Sequence, residues 1–189
     1  MNNTIGLEPL SVTTFSTYCK LGEQAYRDHY LHLWPNEDPS PYIESSFTAA
    51  VLRKEVKDPN TFHFIIRKQS EGIGILKLIK DKGVKNIPHK GSMLLEKIYL
   101  LHKFTGKGHG KQILKKLESM ALRLQISHLW LATMKKGSAL LFYQELGYTI
   151  IGEQQLPFQN ARQDEKEMYL LLKELRPKVP KEGTSYFCR

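Results

Sequence analysis

Apolar positions along this chain switch between a helical and a strand period. From Ser11 to Leu33, the residues Phe15, Tyr18, Ala25, Tyr26, Tyr30 and Leu33 recur near helical spacing, which predicts one helix or two short ones. A polar, Pro-punctuated stretch, Trp34–Pro39, reads as a loop. Ser40 and Pro41 have the order of an N-cap followed by Pro at the first helical position, and Ile43, Phe47, Ala50 and Val51 mark the buried face of one further helix ended by Asp58-Pro59-Asn60. The β-branched runs Phe62–Lys68 and Ile73–Ile79 flank Gln69-Ser70-Glu71-Gly72 and predict a hairpin. Thr4–Pro9 and Met93–Leu101 read as strands, and residues 81–92 between hairpin and strand as a basic loop. Then come an amphipathic helix over Lys111–Gln125, a strand over His128–Met134 and a short helix over Ser138–Leu146, closed by Gly147. Tyr148–Gln154 and Glu167–Leu172 are the last strands, and residues 177–189 are a tail after a domain spanning 1–176. Strands and helices in this order give an α/β or α+β class with a mixed sheet.

Composition adds mainly exclusions. The 189 residues, 41% hydrophobic and 25% charged, suit one globular domain. Two cysteines, Cys19 and Cys188, make neither a disulfide framework nor a Cys-rich metal site. No apolar run approaches the roughly 18–20 residues of a membrane span, and MNNTIGLEP lacks the features of a secretory signal, so a cytoplasmic location and no membrane partner are expected. The net charge of +9 is unevenly spread. Residues 1–50 hold 2 basic and 6 acidic side chains, residues 51–150 hold 19 and 7, and residues 151–189 hold 7 and 6. An acidic opening and a basic middle suggest two ligand regions of opposite sign.

The segment most informative about chemistry runs from Glu96 to Lys111. An apolar strand enters a turn with Gly106, Gly108 and Gly110, and a helix follows. Such a turn lets backbone N–H groups at the helix start meet phosphate oxygens, with Lys107 and Lys111 adding charge. It is not a nucleotide P-loop, because Gly-x-x-x-x-Gly-Lys-Ser/Thr is absent.

Thr105-Gly-Lys-Gly108-His-Gly110, followed downstream by Lys136-Gly-Ser-Ala139-Leu-Leu-Phe142-Tyr143 and Gly147-Tyr148, resembles the GNAT acetyltransferase superfamily. That family carries Arg/Gln-x-x-Gly-x-Gly/Ala and then Asn-x-x-Ala-x-x-Phe-Tyr-x-x-x-Gly-Phe. The match covers about residues 60–173, with Thr105 in place of Arg/Gln and Lys136 in place of Asn. A looser likeness to bacterial PaiA-type spermidine/spermine acetyltransferases rests on Trp34–Ile43, Leu95–Tyr99 and Gln163-Asp164-Glu165. The resemblance implies a single mixed, largely antiparallel sheet of about 6–7 strands with about 4 helices and a splayed central strand pair.

It also implies acetyl-CoA as co-substrate. No metal is expected, because His29 and His32, at i, i+3 on one helix face, have no carboxylate or further His at a diagnostic spacing to complete a site. The backbones of Tyr99, Leu100 and Leu101 would meet pantetheine or an oxyanion, and Thr105, Gly106, Lys107, Gly108, His109, Gly110 and Lys111 the pyrophosphate. Lys136, Ala139 and Phe142 would flank the cofactor. Tyr143 is the expected acid for the departing thiolate and Glu96 the expected base, direct or through water, for the acceptor ammonium. The acceptor pocket would draw on Tyr30, Trp34, Glu37, Asp38, Tyr42, Asp164 and Glu165, whose acids and aromatic rings suit a polyamine or other small cationic amine. A peptide N-terminus or lysine is the other acceptor. A non-catalytic acyl-CoA-binding regulator or a nucleic-acid-binding protein is the reading of a different class, although no nucleic-acid motif supports the latter and no such partner is expected. A monomer or homodimer is expected.

Overall fold

The computed structural model describes residues 4–175. Seven strands form one sheet in the order β1-β2-β3-β4-β5-β7-β6. They are β1 (Ile5–Pro9), β2 (Thr61–Lys68), β3 (Glu71–Lys80), β4 (Ser92–Leu100), β5 (His128–Met134), β6 (Thr149–Gln155) and β7 (Glu167–Glu174). Neighbours pair antiparallel except β4 and β5, which run parallel. That parallel pairing holds only between Ser92–Leu94 and His128–Trp130. Beyond it the two strands part, which is the splayed central pair that the sequence resemblance implied.

Five α-helices lie among the described residues: α1 (Phe15–Tyr30), α2 (Ser40–Ser46), α3 (Ala49–Glu55), α4 (His109–Arg123) and α5 (Ala139–Glu145). The fifth arises because the segment read as one helix after Ser40 is two. Phe47 leaves helical geometry, and Thr48 then caps α3 by accepting from the Val51 N–H at 3.2 Å. Ser40 is itself helical and Pro39 holds the cap position, while Asp38 before it accepts from the Ser40 N–H at 3.0 Å. The helix α4 starts two residues earlier than its apolar period indicated, directly after Gly108. Arg176 and the predicted tail, 177–189, lie outside the described residues.

The two faces of the sheet bury separate cores. One packs Ile66, Leu76, Leu78, Met93, Leu129 and Leu171 against Ile113, Leu114, Leu117 and Ala121 of α4 and Tyr143 of α5. The other packs Ile65 and Ile75 against Phe15, Tyr18, Tyr26, Tyr42, Phe47 and Leu52 from α1, the α2–α3 segment and α3. The basic loop 81–92 is tied down where Trp130 Nε1 donates to the Lys82 carbonyl at 2.6 Å.

One irregularity bears directly on the site. Lys77 pairs with Lys97, but the next residue of β3, Leu78, pairs with Leu95. Glu96 is therefore an extra residue on β4, a bulge. The bulge resets the alternation of side chains, so that Glu96 and its neighbour Lys97 reach the same group of charged residues.

Candidate active site

Where β4 and β5 part, a cavity of about 420 Å³ opens. Leu94–Tyr99 line it on one side and Trp130–Met134 on the other. Tyr26 and Tyr30 of α1, Tyr42, Ser45 and Ser46 of α2, Ala139 and Tyr143 of α5, and Leu156–Phe158 complete much of the wall. The predicted site residues Glu96, Tyr99, Ala139, Tyr143, Tyr30 and Tyr42 thus meet at one place.

The aromatic part is denser than the sequence indicated. Tyr26 stacks on Tyr42 with ring centroids 4.0 Å apart, and it lies 5.0 Å from Tyr30 and 5.9 Å from Tyr99. The hydroxyls of Tyr42 and Tyr99 are 2.7 Å apart, and Phe158 stands 5.5 Å from Tyr42. Tyr143 is buried; burial first, and Tyr30 second, push its hydroxyl above the ordinary phenol range. It therefore remains a proton-carrying donor at neutral pH.

Beneath the aromatic rings lies a charged cluster. The Lys77 ammonium donates to Glu55 Oε1 and Glu96 Oε1, each at 2.7 Å, and Lys97 donates to Glu96 Oε1 at 3.1 Å. Glu55 Oε2 faces His63 Nε2 at 3.1 Å, and His63 Nδ1 lies 3.1 Å from the Tyr18 hydroxyl. Burial would raise the carboxyl pKa of Glu96, but Lys97 and Lys77 outweigh it and hold the group below its usual range. Burial lowers the ammonium pKa of Lys97, and the nearby Glu96 only partly opposes that. Sequence reasoning missed Glu55, Lys77 and Lys97. A signal existed for the lysines, since Lys77 is the one charge in the apolar run Gly72–Ile79 and Lys97 lies inside another such strand.

Several expected acceptor residues are elsewhere. Trp34 is buried in the core, donating from its indole to the Tyr26 hydroxyl at 3.0 Å. Glu37, Asp38, Asp164 and Glu165 are absent from the cavity wall. Asp38 accepts from the N–H and hydroxyl of Ser40, Asp164 pairs with Arg162 at 3.2 Å, and Glu165 accepts from Lys136 at 2.8 Å. Partners within the protein hold the Asp38, Asp164 and Glu165 side chains, which composition by segment cannot reveal.

The glycine turn lies outside the cavity wall, at the start of α4. Gly106 and Gly108 hold φ of 68° and 77°, and a Cβ on either would meet nothing within 4 Å. Their role is conformational, setting the backbone of the helix entrance. Gly110 packs under the Phe142 ring, 3.1 Å from its would-be Cβ. The His109 ring turns inward, 3.0 Å from the Phe104 carbonyl, while the Thr105 hydroxyl donates to the His102 carbonyl and Lys107 to the Lys103 carbonyl. That leaves the N–H groups of the first turn of α4, with exposed Lys111, as the polar surface of the turn. The backbone expectation for β4 needs one correction. Leu101 donates its N–H to the Ile73 carbonyl at 3.0 Å, so its backbone, and by alternation that of Tyr99, is directed toward β3. Ile98 and Leu100 are the residues whose backbone groups face the other side, with the Leu100 carbonyl accepting from the His29 ring at 3.0 Å.

Among the described residues no helix is long and apolar enough to cross a membrane. The model of the acetyltransferase (GNAT) family matches residues 24–148, more than half of the chain. A relative from Lactobacillus delbrueckii subsp. lactis, described as an uncharacterized N-acetyltransferase in the pepI 3' region, is 28% identical over 140 residues, 74% of this chain and 79% of that one. Among solved structures, PaiA N-acetyltransferase from Thermoplasma acidophilum in complex with coenzyme A is 16% identical with a TM-score of 0.69, covering 90% of this chain and 99% of that one. Spermidine N-acetyltransferase SpeG from Vibrio cholerae, as a point mutant, is 16% identical with a TM-score of 0.65, covering 92% and 95%. An acetyltransferase from Thermus thermophilus is 16% identical with a TM-score of 0.69, covering 91% and 97%. With its fold, its paired motifs and this match, the chain belongs to the GNAT acetyltransferase family.

Proposed function

We propose that this acetyltransferase moves the acetyl group of acetyl-CoA directly to a primary amine of a small molecule, both bound at once. The observation that carries this reading is the cavity at the β4–β5 splay, walled by Glu96 on one strand and Tyr143 on α5. A bound acetyl-CoA supplies an activated thioester. The residues present fit it: the gap between the strands leaves the backbone of Ile98 and Leu100 unpaired by β5, which suits pantetheine amides. The first turn of α4, with Gly108 at its start and Lys111 beside it, suits the phosphates.

Proton handling follows from the charges on the wall. Tyr143 keeps its proton and so can donate to the departing sulfur. Glu96 is ionised but is held below its usual pKa, so it is a weak base toward an alkyl ammonium of pKa about 10.4. Its role is to accept a hydrogen bond from the amine or from a water that carries the proton out. The chain therefore works on the fraction of acceptor already neutral, and positions it.

Thiol release from acetyl-CoA with a panel of amines tests the reading. Turnover with a small amine, lost in Tyr143→Phe while acetyl-CoA still raises the melting temperature, is the expected result. Thermal stabilisation without thiol release from any amine would leave only a binding protein.

A further inference from the structure

The cavity's charge balance bears on which amine it accepts. Among the described residues lining it, Glu55 and Glu96 are the only carboxylates. Each already pairs with at least one ammonium group of the protein. Glu96 accepts from Lys77 and Lys97, and Glu55 accepts from Lys77 and faces His63. Two carboxylates against two ammonium groups leave no net negative charge. Lys97, nearly fully buried, also lies over Tyr42 and Phe47, 5.9 and 5.8 Å from their ring centroids. The aromatic faces nearest the carboxylates therefore already hold a cation of the protein itself. Most of the remaining wall is apolar or phenolic, including Tyr26, Tyr30, Leu33, Leu156, Phe158 and Met168, and its other polar side chains, Ser45, Ser46, Thr133 and Gln154, carry no charge.

Resting on acetyl transfer to a small amine, we infer that the preferred acceptor is a monoamine with an alkyl or aromatic body. Lys97 and Lys77 are the residues that exclude polycations. A monoamine reacts as the neutral base, so it brings no lasting charge into the cavity, and its body replaces water against the ring cluster. A polyamine must bring further ammonium groups near Lys97 into a cavity whose carboxylates are already balanced by lysines, which costs desolvation and like-charge repulsion. The bulge at Glu96 is what makes this possible, because it brings Lys97 beside Glu96 and cancels the negative charge.

The test compares kcat/KM for phenethylamine and hexylamine with that for putrescine and spermidine, by thiol release, in the wild-type protein and in Lys97→Met. In the wild type the monoamines are expected to exceed spermidine by at least about tenfold. Lys97→Met, which leaves the cluster one positive charge short, should raise the spermidine-to-monoamine ratio by about tenfold or more. Lys97→Gln, which keeps a donor but no charge, should move the ratio the same way and serves if the Met variant does not fold. Wild-type turnover of spermidine equal to or above that of the monoamines overturns the inference while leaving acetyl transfer intact. So does an unchanged ratio in a folded Lys97 variant. No turnover of any amine removes the acetyl-transfer reading and this inference with it.

Discussion

Tyr143 and Glu96 line the same cavity, but burial and neighbours give their side chains different chemistry. Tyr143 is enclosed by Phe142 and Tyr148, with ring centroids 5.2 and 5.6 Å away, so loss of its hydroxyl leaves the packing intact. Tyr143→Phe is therefore expected to lower kcat by about 10²-fold or more with little change in KM for acetyl-CoA or in melting temperature. Glu96 lies between two ammonium groups that no spacing rule could have brought to it. Because they hold its carboxyl low, no enzyme base is expected to titrate near neutrality. Log kcat/KM should then climb with a slope of about 1 between roughly pH 6 and 9, following the free amine. A plateau beginning below pH 7 would point to an enzyme base of raised pKa and overturn this assignment.

At the level of elements, the apolar periods located the strands and helices well but not their ends. The helix predicted from Lys111 begins at His109 because Gly108, at φ 77°, supplies the left-handed start. Such a start is set by backbone geometry, not by apolar spacing. Since a Cβ at Gly108 would meet no atom within 4 Å, Gly108→Ala should cost only about 1–2 kcal/mol of stability, all of it conformational. It should nonetheless raise KM for acetyl-CoA several-fold, as measured by steady-state kinetics, by turning the first N–H groups of α4. Gly74 is the opposite case. A Cβ there would collide with the Tyr99 carbonyl on β4, so Gly74→Ala must push two central strands apart and should fail to give soluble, cooperatively melting protein. Nothing in the run Ile73–Ile79 marks that contact, because it depends on which strand lies alongside.

For the molecule as a whole, the charged cluster ties α3 to β2, β3 and β4. Burial would raise the Glu55 carboxyl, but His63 and Lys77 bring it down to about 2. A folded pKa below the unfolded value of about 4.3 means that this stabilisation is complete above that value and is lost as pH falls toward 2. The melting temperature is expected to drop steeply from about pH 4.5 downward, and less steeply in Glu55→Gln. Lys77→Met, which takes a buried ammonium away from two half-buried carboxylates, should destabilise by about 1–3 kcal/mol in denaturant melts.

The sequence by itself determined the mixed sheet, the turn before α4, Tyr143 and the family, because each is written in local periods or in closely spaced motifs. Tertiary structure alone decided what faces the cavity. Glu37, Asp38, Asp164 and Glu165 looked like an acceptor site by their charge, yet Asp38, Asp164 and Glu165 are taken by neighbours close at hand, and none of the four lines the wall. Glu55, Lys77, Glu96 and Lys97, spread over 43 residues of sequence, became one balanced cluster through strand register and a single bulge. Register and bulge depend on how strands lie against one another, and the sign of a cavity depends on them rather than on the sum of nearby charges.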